Sequence, residues 1–315
     1  MNDRGLFRLL AGDGRPLLAA VALTLLASGV FAIFVAARGE FLPHDVAYLC
    51  MTPQKLCEVN KCRIVHFMIH DRVAFGGALI AIGVVYLWLV AGPLGAGQRW
   101  AWELLAASGV AGFLSFLAYL GYGYLDTWHG VATLALAPLF VGGLALKRKS
   151  LANVDGARWL AGPLWLTTVR DRRCVGRTML IAAAVGMFGG GSTIMAVGMT
   201  SVFVPEDLSF LGMARAELDG INPRLVPLIA HDRAGFGGAV CCCGVLLVGV
   251  SWRGELDRSA LQALAVAGLS GFGTALSVHP AIGYTTPSHL APAIMGSCLF
   301  AMGLLLVSIT RPSPP

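Results

Sequence analysis

Charged residues are scarce in this chain. Asp, Glu, Lys and Arg supply 13% of its 315 positions, and the mean hydropathy is +0.73. A soluble domain carries about 25% charge, so the shortfall implies a surface solvated by lipid and not by water. Chemistry motifs are scarce as well. There is no Walker loop, nucleophile elbow, kinase signature or zinc-ligand spacing, which sets aside the enzyme classes that announce themselves by such patterns. Gly189-Gly190-Gly191 lies inside an apolar run and reads as a packing or kink feature, not a phosphate loop. Alternating strand and helix patterns are absent too, and with them any α/β barrel. The net charge of +6 sits in short segments between apolar runs. That placement sets membrane orientation and offers no nucleic-acid surface.

What is present is a set of long apolar runs. Spanning helices need roughly 17–25 such residues, and eight stretches qualify: Pro16–Ala37, Val73–Ala91, Leu104–Leu125, Val131–Leu146, Thr178–Val204, Ala234–Ser251, Leu261–Val278 and Leu290–Ile309. The first resembles a signal peptide but is long and lacks a cleavage site, so it reads as retained. Eight of the 23 Lys and Arg fall in the central loop between Lys147 and Arg177, as many as on the whole opposite side. The positive-inside bias therefore predicts an inner (plasma) membrane protein with both termini cytoplasmic. In that loop Trp159, Leu160, Leu164, Trp165 and Leu166 read as an interfacial segment.

The chain repeats itself. His70-Asp71-Arg72-Val73-Ala74-Phe75-Gly76-Gly77-Ala78 returns as His231-Asp232-Arg233-Ala234-Gly235-Phe236-Gly237-Gly238-Ala239, with seven of nine positions identical. Phe41-Leu42-Pro43-His44-Asp45 matches Phe203-Val204-Pro205-Glu206-Asp207; Gly109, Gly112 and Phe113 match Gly268, Gly271 and Phe272; Gly121-Tyr122 and His129 match Gly283-Tyr284 and His289. The predicted fold is all-α, with eight transmembrane helices in two parallel four-helix repeats at 1–150 and 151–315.

The duplicated polar residues are the site candidates. His70 and His231 head the second helix of each repeat, and His129 and His289 head the fourth, so each repeat is expected to bring its own pair together. Ala74 and Gly77, Gly235 and Gly238, and Ala293 and Gly296 lie one and two turns below three of these histidines, a smooth groove for a flat macrocycle. Plainer readings stand beside this one. Small residues at helical spacing serve helix packing, and Asp71–Arg72 or Asp232–Arg233 serves to pin an outer loop. His66 and His279 have no duplicated counterpart and rank below the rest. Cys241, Cys242 and Cys243 read as small buried hydrophobes. Cys50, Cys57 and Cys62 share one polar loop, where a disulfide forms if the loop faces an oxidising compartment.

Two resemblances follow. The 4 + 4 helices, with histidines on the second and fourth of each half at spacings of 59 and 58 residues, resemble heme A synthase. That resemblance implies heme bound by His70 with His129 and by His231 with His289. It also implies an outer-loop cysteine pair, matched by Cys50 and Cys57. Beside it, Arg72 and Arg233 are expected to meet propionates, with Asp71 and Asp232 orienting groups nearby. The motif His-Asp-Arg-x-x-Phe-Gly-Gly-Ala and the stretch Leu120–His129 are similar to a bacterial membrane family, some members of which carry the label dihydroorotate dehydrogenase. Nothing in this chain matches the flavin barrel of such an enzyme. The leading expectation is thus a heme-binding redox protein in the bilayer, with a redox partner or membrane complex. A carrier with its site between repeats and a non-catalytic membrane subunit are the alternatives.

Overall fold

The computed structural model describes residues 12–115, 124, 127–151 and 171–309. All regular structure among them is helical. The helices are α1 (Arg15–Ala37), α2 (Pro43–Leu49), α3 (Pro53–Asn60), α4 (Arg63–Ala91), α5 (Arg99–Ser115), α6 (Thr127–Leu151), α7 (Arg172–Gly198), α8 (Pro205–Leu211), α9 (Arg215–Ile221), α10 (Leu225–Arg253), α11 (Arg258–Ile282) and α12 (Pro287–Ile309). Seven of them, α1, α4, α6, α7, α10, α11 and α12, are long and apolar enough to cross a membrane. The expected third span runs on from α5, whose 17 residues end at Ser115, into residues outside the description. The Trp159–Leu166 segment and Gly121-Tyr122 also lie outside it.

Helices α4 and α10 form the centre. Their most apolar windows are 61% and 78% buried, against at most 22% for the other five. Outward-facing residues of those five are large and apolar, Leu134 and Leu269 being more than three-quarters exposed. A surface of that kind belongs in lipid. At 29 residues each, the central helices run about 44 Å, well beyond a hydrocarbon core of about 30 Å. This corrects the expected boundaries. The predicted spans began at Val73 and Ala234, but the helices start at Arg63 and Leu225, so His70 and His231 lie two turns inside. Polar residues broke the hydropathy signal there without breaking the helix, because their partners are supplied by other segments.

Glycine brings the helices together. A Cβ at Gly76 would stand 2.8 Å from the Gly29 carbonyl oxygen of α1, and one at Gly237 would stand 2.7 Å from the Gly191 carbonyl oxygen of α7. The next glycine in each motif serves a different neighbour: Gly77 abuts Ser270 and Thr274 of α11, and Gly238 abuts Ser115 of α5. Each central helix therefore packs on a helix from the opposite half of the sequence. The plain packing reading holds for Gly77 and Gly238, which carry no groove. Cys241, Cys242 and Cys243 are buried, in keeping with their reading as small hydrophobes.

The short helices α2, α3, α8 and α9 build a second apolar cluster over the ends of α4 and α10, around Leu56, Phe67, Leu211, Leu218 and Tyr284. Pro43 and Pro205 start α2 and α8, where a missing N–H costs nothing. The two caps are clasped by a reciprocal pair of bonds: Asn60 Nδ2 donates to the Leu211 carbonyl and Asn222 Nδ2 to the Leu49 carbonyl, both at 2.8 Å. Cys57 and Cys62 form a disulfide that ties the end of α3 to the start of α4, and Cys50 is free. The pairing of Cys50 with Cys57 implied by the resemblance is therefore not the one formed.

Candidate functional site

Beneath the caps, buried charge meets opposite charge. Arg72 reaches Asp45 at 2.8 Å and Asp232 at 2.9 Å. Arg233 reaches Asp207 at 2.6 Å, the Val202 carbonyl at 2.7 Å and Asp71 at 3.5 Å. Tyr124 donates to Asp45 at 2.7 Å, and Tyr284 to Asp207 at 2.8 Å. Burial, followed by the Asp207 carboxylate, pushes the Tyr284 phenol well above its ordinary range. It therefore stays a donor at any physiological pH. A buried guanidinium is tolerated where carboxylates and carbonyls replace its water, and here they do. Asp71–Arg72 and Asp232–Arg233 thus pin the α2 and α8 caps and tie the halves together. Arg72 is spent on carboxylates and is not left for a propionate.

The histidines meet across the halves, not within them. His129 Nδ1 and His231 Nε2 are 3.0 Å apart. His70 has ring neighbours in His279 at 5.1 Å and His289 at 6.2 Å between centroids. The expected pairs, His70 with His129 and His231 with His289, are exchanged for pairs drawn from opposite repeats. The cause is the packing of α4 on α11 and of α10 on α5, which carries each central helix into the other half. Tyrosine register follows the same offset. Tyr124, not Tyr122, takes the place that Tyr284 has beside Asp207.

His279, ranked low in the sequence for want of a counterpart, completes the better-formed cluster. One ring nitrogen of each of His70, His279 and His289 lies within 4.8 Å of the other two. His70 Nδ1 bonds the Phe67 carbonyl, and His279 Nδ1 bonds the Ala275 carbonyl at 2.6 Å. His289 Nδ1 stands 3.2 Å from the Tyr284 hydroxyl, whose proton already goes to Asp207. In each case the partner atom accepts, so Nδ1 carries the proton and Nε2 keeps a bare lone pair. The signal available in the sequence was an ionisable side chain inside a span, which is costly in a bilayer and marks function by default.

These three residues close the polar end of a cavity of about 720 Å³. Along α4 its wall runs from His70 through Ala74, Ala78 and Ala81 to Val85, about 22 Å of helix. Gly190 of α7, Gly271 of α11 and Ala293 and Gly296 of α12 line the other sides, among larger residues such as Met187, Phe236, Phe272 and Phe300. Asp71, Glu206 and Arg233 also face it. His129 and His231 do not.

Bis-histidine heme does not fit these positions. Two imidazoles sharing an iron need nitrogens about 4 Å apart, and the His129–His231 contact is shorter than that. An iron between His70 and His289 would have the His279 nitrogen roughly 4–5 Å away, where the macrocycle itself must lie. No protein-family model, curated protein or solved structure matches the chain.

Proposed function

We propose that the chain is a duplicated, eight-span protein of the inner membrane that performs redox chemistry on a lipophilic molecule. The molecule lies in the cavity with its polar head against His70, His279 and His289. One observation carries this reading: three converging imidazoles end an apolar slot of about 720 Å³, within the 300–1,000 Å³ range of small-molecule sites. A slot walled by alanine and glycine over about 22 Å suits a hydrocarbon tail. The histidine end suits a head that moves protons with its electrons, as a hydroquinone does, since a neutral imidazole offers its hydroxyl a nitrogen acceptor.

The scaffold has supports of its own. Leu104–Leu125 supplies the eighth span, of which α5 is part. The matched contacts of Arg72 with Arg233, and of Asn60 with Asn222, fit two copies of one unit at 1–150 and 151–315. The Cys57–Cys62 disulfide favours an outer loop in an oxidising compartment, and the Lys- and Arg-rich central loop favours cytoplasmic termini. A redox partner would approach the capped side.

Heme is the second reading, held by one histidine of the cluster instead of two. It is favoured by the small residues Ala74, Ala78, Gly271, Ala293 and Gly296 that line the cavity. Purified protein in nanodiscs, titrated with short-chain ubiquinol and menaquinol analogues, is expected to bind one of them saturably and to oxidise it with an artificial electron acceptor. Failure of both analogues to bind removes the quinol reading. A Soret band with a reduced α-band would establish heme instead.

A further inference from the structure

The lone pairs at the head of the cavity lack a proton to share. One ring nitrogen of each of the three histidines lies within 4.8 Å of the others, and with Nδ1 of each ring donating elsewhere, Nε2 is the atom left to act as a ligand. His279 is 93% buried by area (7% exposed), and its Nε2 has no hydrogen-bond partner. His70 Nε2 faces a carboxylate oxygen of Asp71 at 3.4 Å, one electron-rich atom against another. Acceptors gathered away from water are costly unless something positive joins them. The local charge points the same way: two carboxylates, Asp71 and Asp207, meet one guanidinium, Arg233, and a third, Glu206, lines the same cavity.

We propose that His70, His279 and His289 bind a single divalent transition-metal ion through Nε2, with the fourth position facing the cavity. Imidazole ligands suit zinc, copper, iron and nickel and exclude magnesium and calcium, which take oxygen. Metal–nitrogen bonds of about 2.0–2.1 Å set tetrahedral ligands about 3.3 Å apart, so the ion would draw the rings together by at most about 1.5 Å. The outer contacts match what ligating histidines need. Main-chain carbonyls hold Nδ1 of His70 and His279, and a tyrosine–aspartate relay holds Nδ1 of His289, fixing tautomer and ring direction. Three protein ligands and one open place are the pattern of a reactive site, and a structural site closes all four. One ligand comes from α4 and two from α11 and α12, so the ion also joins the two halves.

This inference rests on the proposed function only for the use made of the open place. The test is metal content and spectroscopy on the full chain in detergent. Protein purified without chelator and reloaded with Zn²⁺, Cu²⁺ or Co²⁺ is expected to hold about one ion per chain. The Co²⁺ form should show the intense visible bands of a four-coordinate site, and the Cu²⁺ form should show nitrogen hyperfine structure in its electron paramagnetic spectrum. His279→Ala should lower loading at least tenfold, as second- and inner-sphere losses do, while His129→Ala and His231→Ala change it less than twofold. Should His279→Ala fail to fold, His289→Ala, at the partly exposed rim, gives the same reading. Wild-type protein holding under a tenth of an equivalent, or loading indifferent to both variants, overturns the site. A quinol analogue bound by metal-free protein that takes no ion keeps the substrate reading and removes the metal. An ion bound without any quinol does the reverse.

Discussion

The two histidine clusters begin from the same residues and end differently. Around His231 the chain supplies His129 at 3.0 Å and Tyr124 against the ring, and the two imidazoles satisfy each other. Around His70 it supplies His289, Tyr284 and a third imidazole, His279, and a cavity opens below. At the offset of 160 that relates His289 to His129, His279 falls on Tyr119 and Gly296 on Leu136. Similar buried ion pairs thus surround two unlike histidine clusters.

The framework should be the most sensitive part. Arg233 has Asp207 as its close carboxylate partner, whereas Arg72 lies between Asp45 and Asp232. Asp207→Ala leaves a buried guanidinium short of its main partner and is expected to cost about 3–5 kcal/mol, enough to abolish monodisperse protein on size-exclusion chromatography. Asp45→Ala leaves the Asp232 bond and should cost about 1–3 kcal/mol. Equal losses would mean that the two latches do not differ as their geometry implies.

Next in size is the hollow itself. Gly296→Leu places the residue of the first copy into the second, and a Cβ there meets only Phe272, at 3.4 Å. Quinol affinity is expected to fall at least tenfold with the melting temperature moved by no more than a few degrees. Unchanged affinity would show that the molecule does not use this slot. A Thr133→Leu change, on the first copy, should leave affinity alone.

The disulfide distinguishes the copies more gently. Cys57 and Cys62 have Asp219 and Arg224 at the matching positions of the second copy. Cys57→Ser with Cys62→Ser opens a very short loop, worth about 2 kcal/mol. Protease sensitivity should rise around α3 and stay unchanged around α9. The smallest effect is expected at the other end of the molecule. Asp13 meets Lys147 at 2.8 Å and Arg15 at 2.9 Å; burial raises its pKa, but these bonds outweigh burial and hold it below 3.8. Its contribution is whole above that value and fades as pH falls through the lowered native one. Asp13→Asn should therefore cost under about 1 kcal/mol at pH 7 and less in strong acid, by chemical denaturation across that range.

The membrane helices were legible because lipid imposes length and composition, and α1 starts within one residue of its expected boundary. The starts of α4 and α10 were not, since His70-Asp71-Arg72 and His231-Asp232-Arg233 look like loop until their partners are known. Repeats reveal which positions are equivalent, but equivalence does not say whether His70 meets the histidine of its own copy or of the other. That choice was made by Gly77 against Thr274 and Gly238 against Ser115, contacts between residues with no local signal. His279 was missed because it is the point at which the copies diverge, and similarity between copies was the guide.

The exchange of partners between halves has a bearing on how the protein is made. Asp71 and Arg72 leave the ribosome 161 residues before Asp232 and Arg233, and at about 5–20 residues per second that is a wait of roughly 8–32 seconds. Throughout it Arg72 has Asp45, a partner made before it, while Asp71 is without Arg233, so the buried ion pairs of the early half stay half complete until the late half is made.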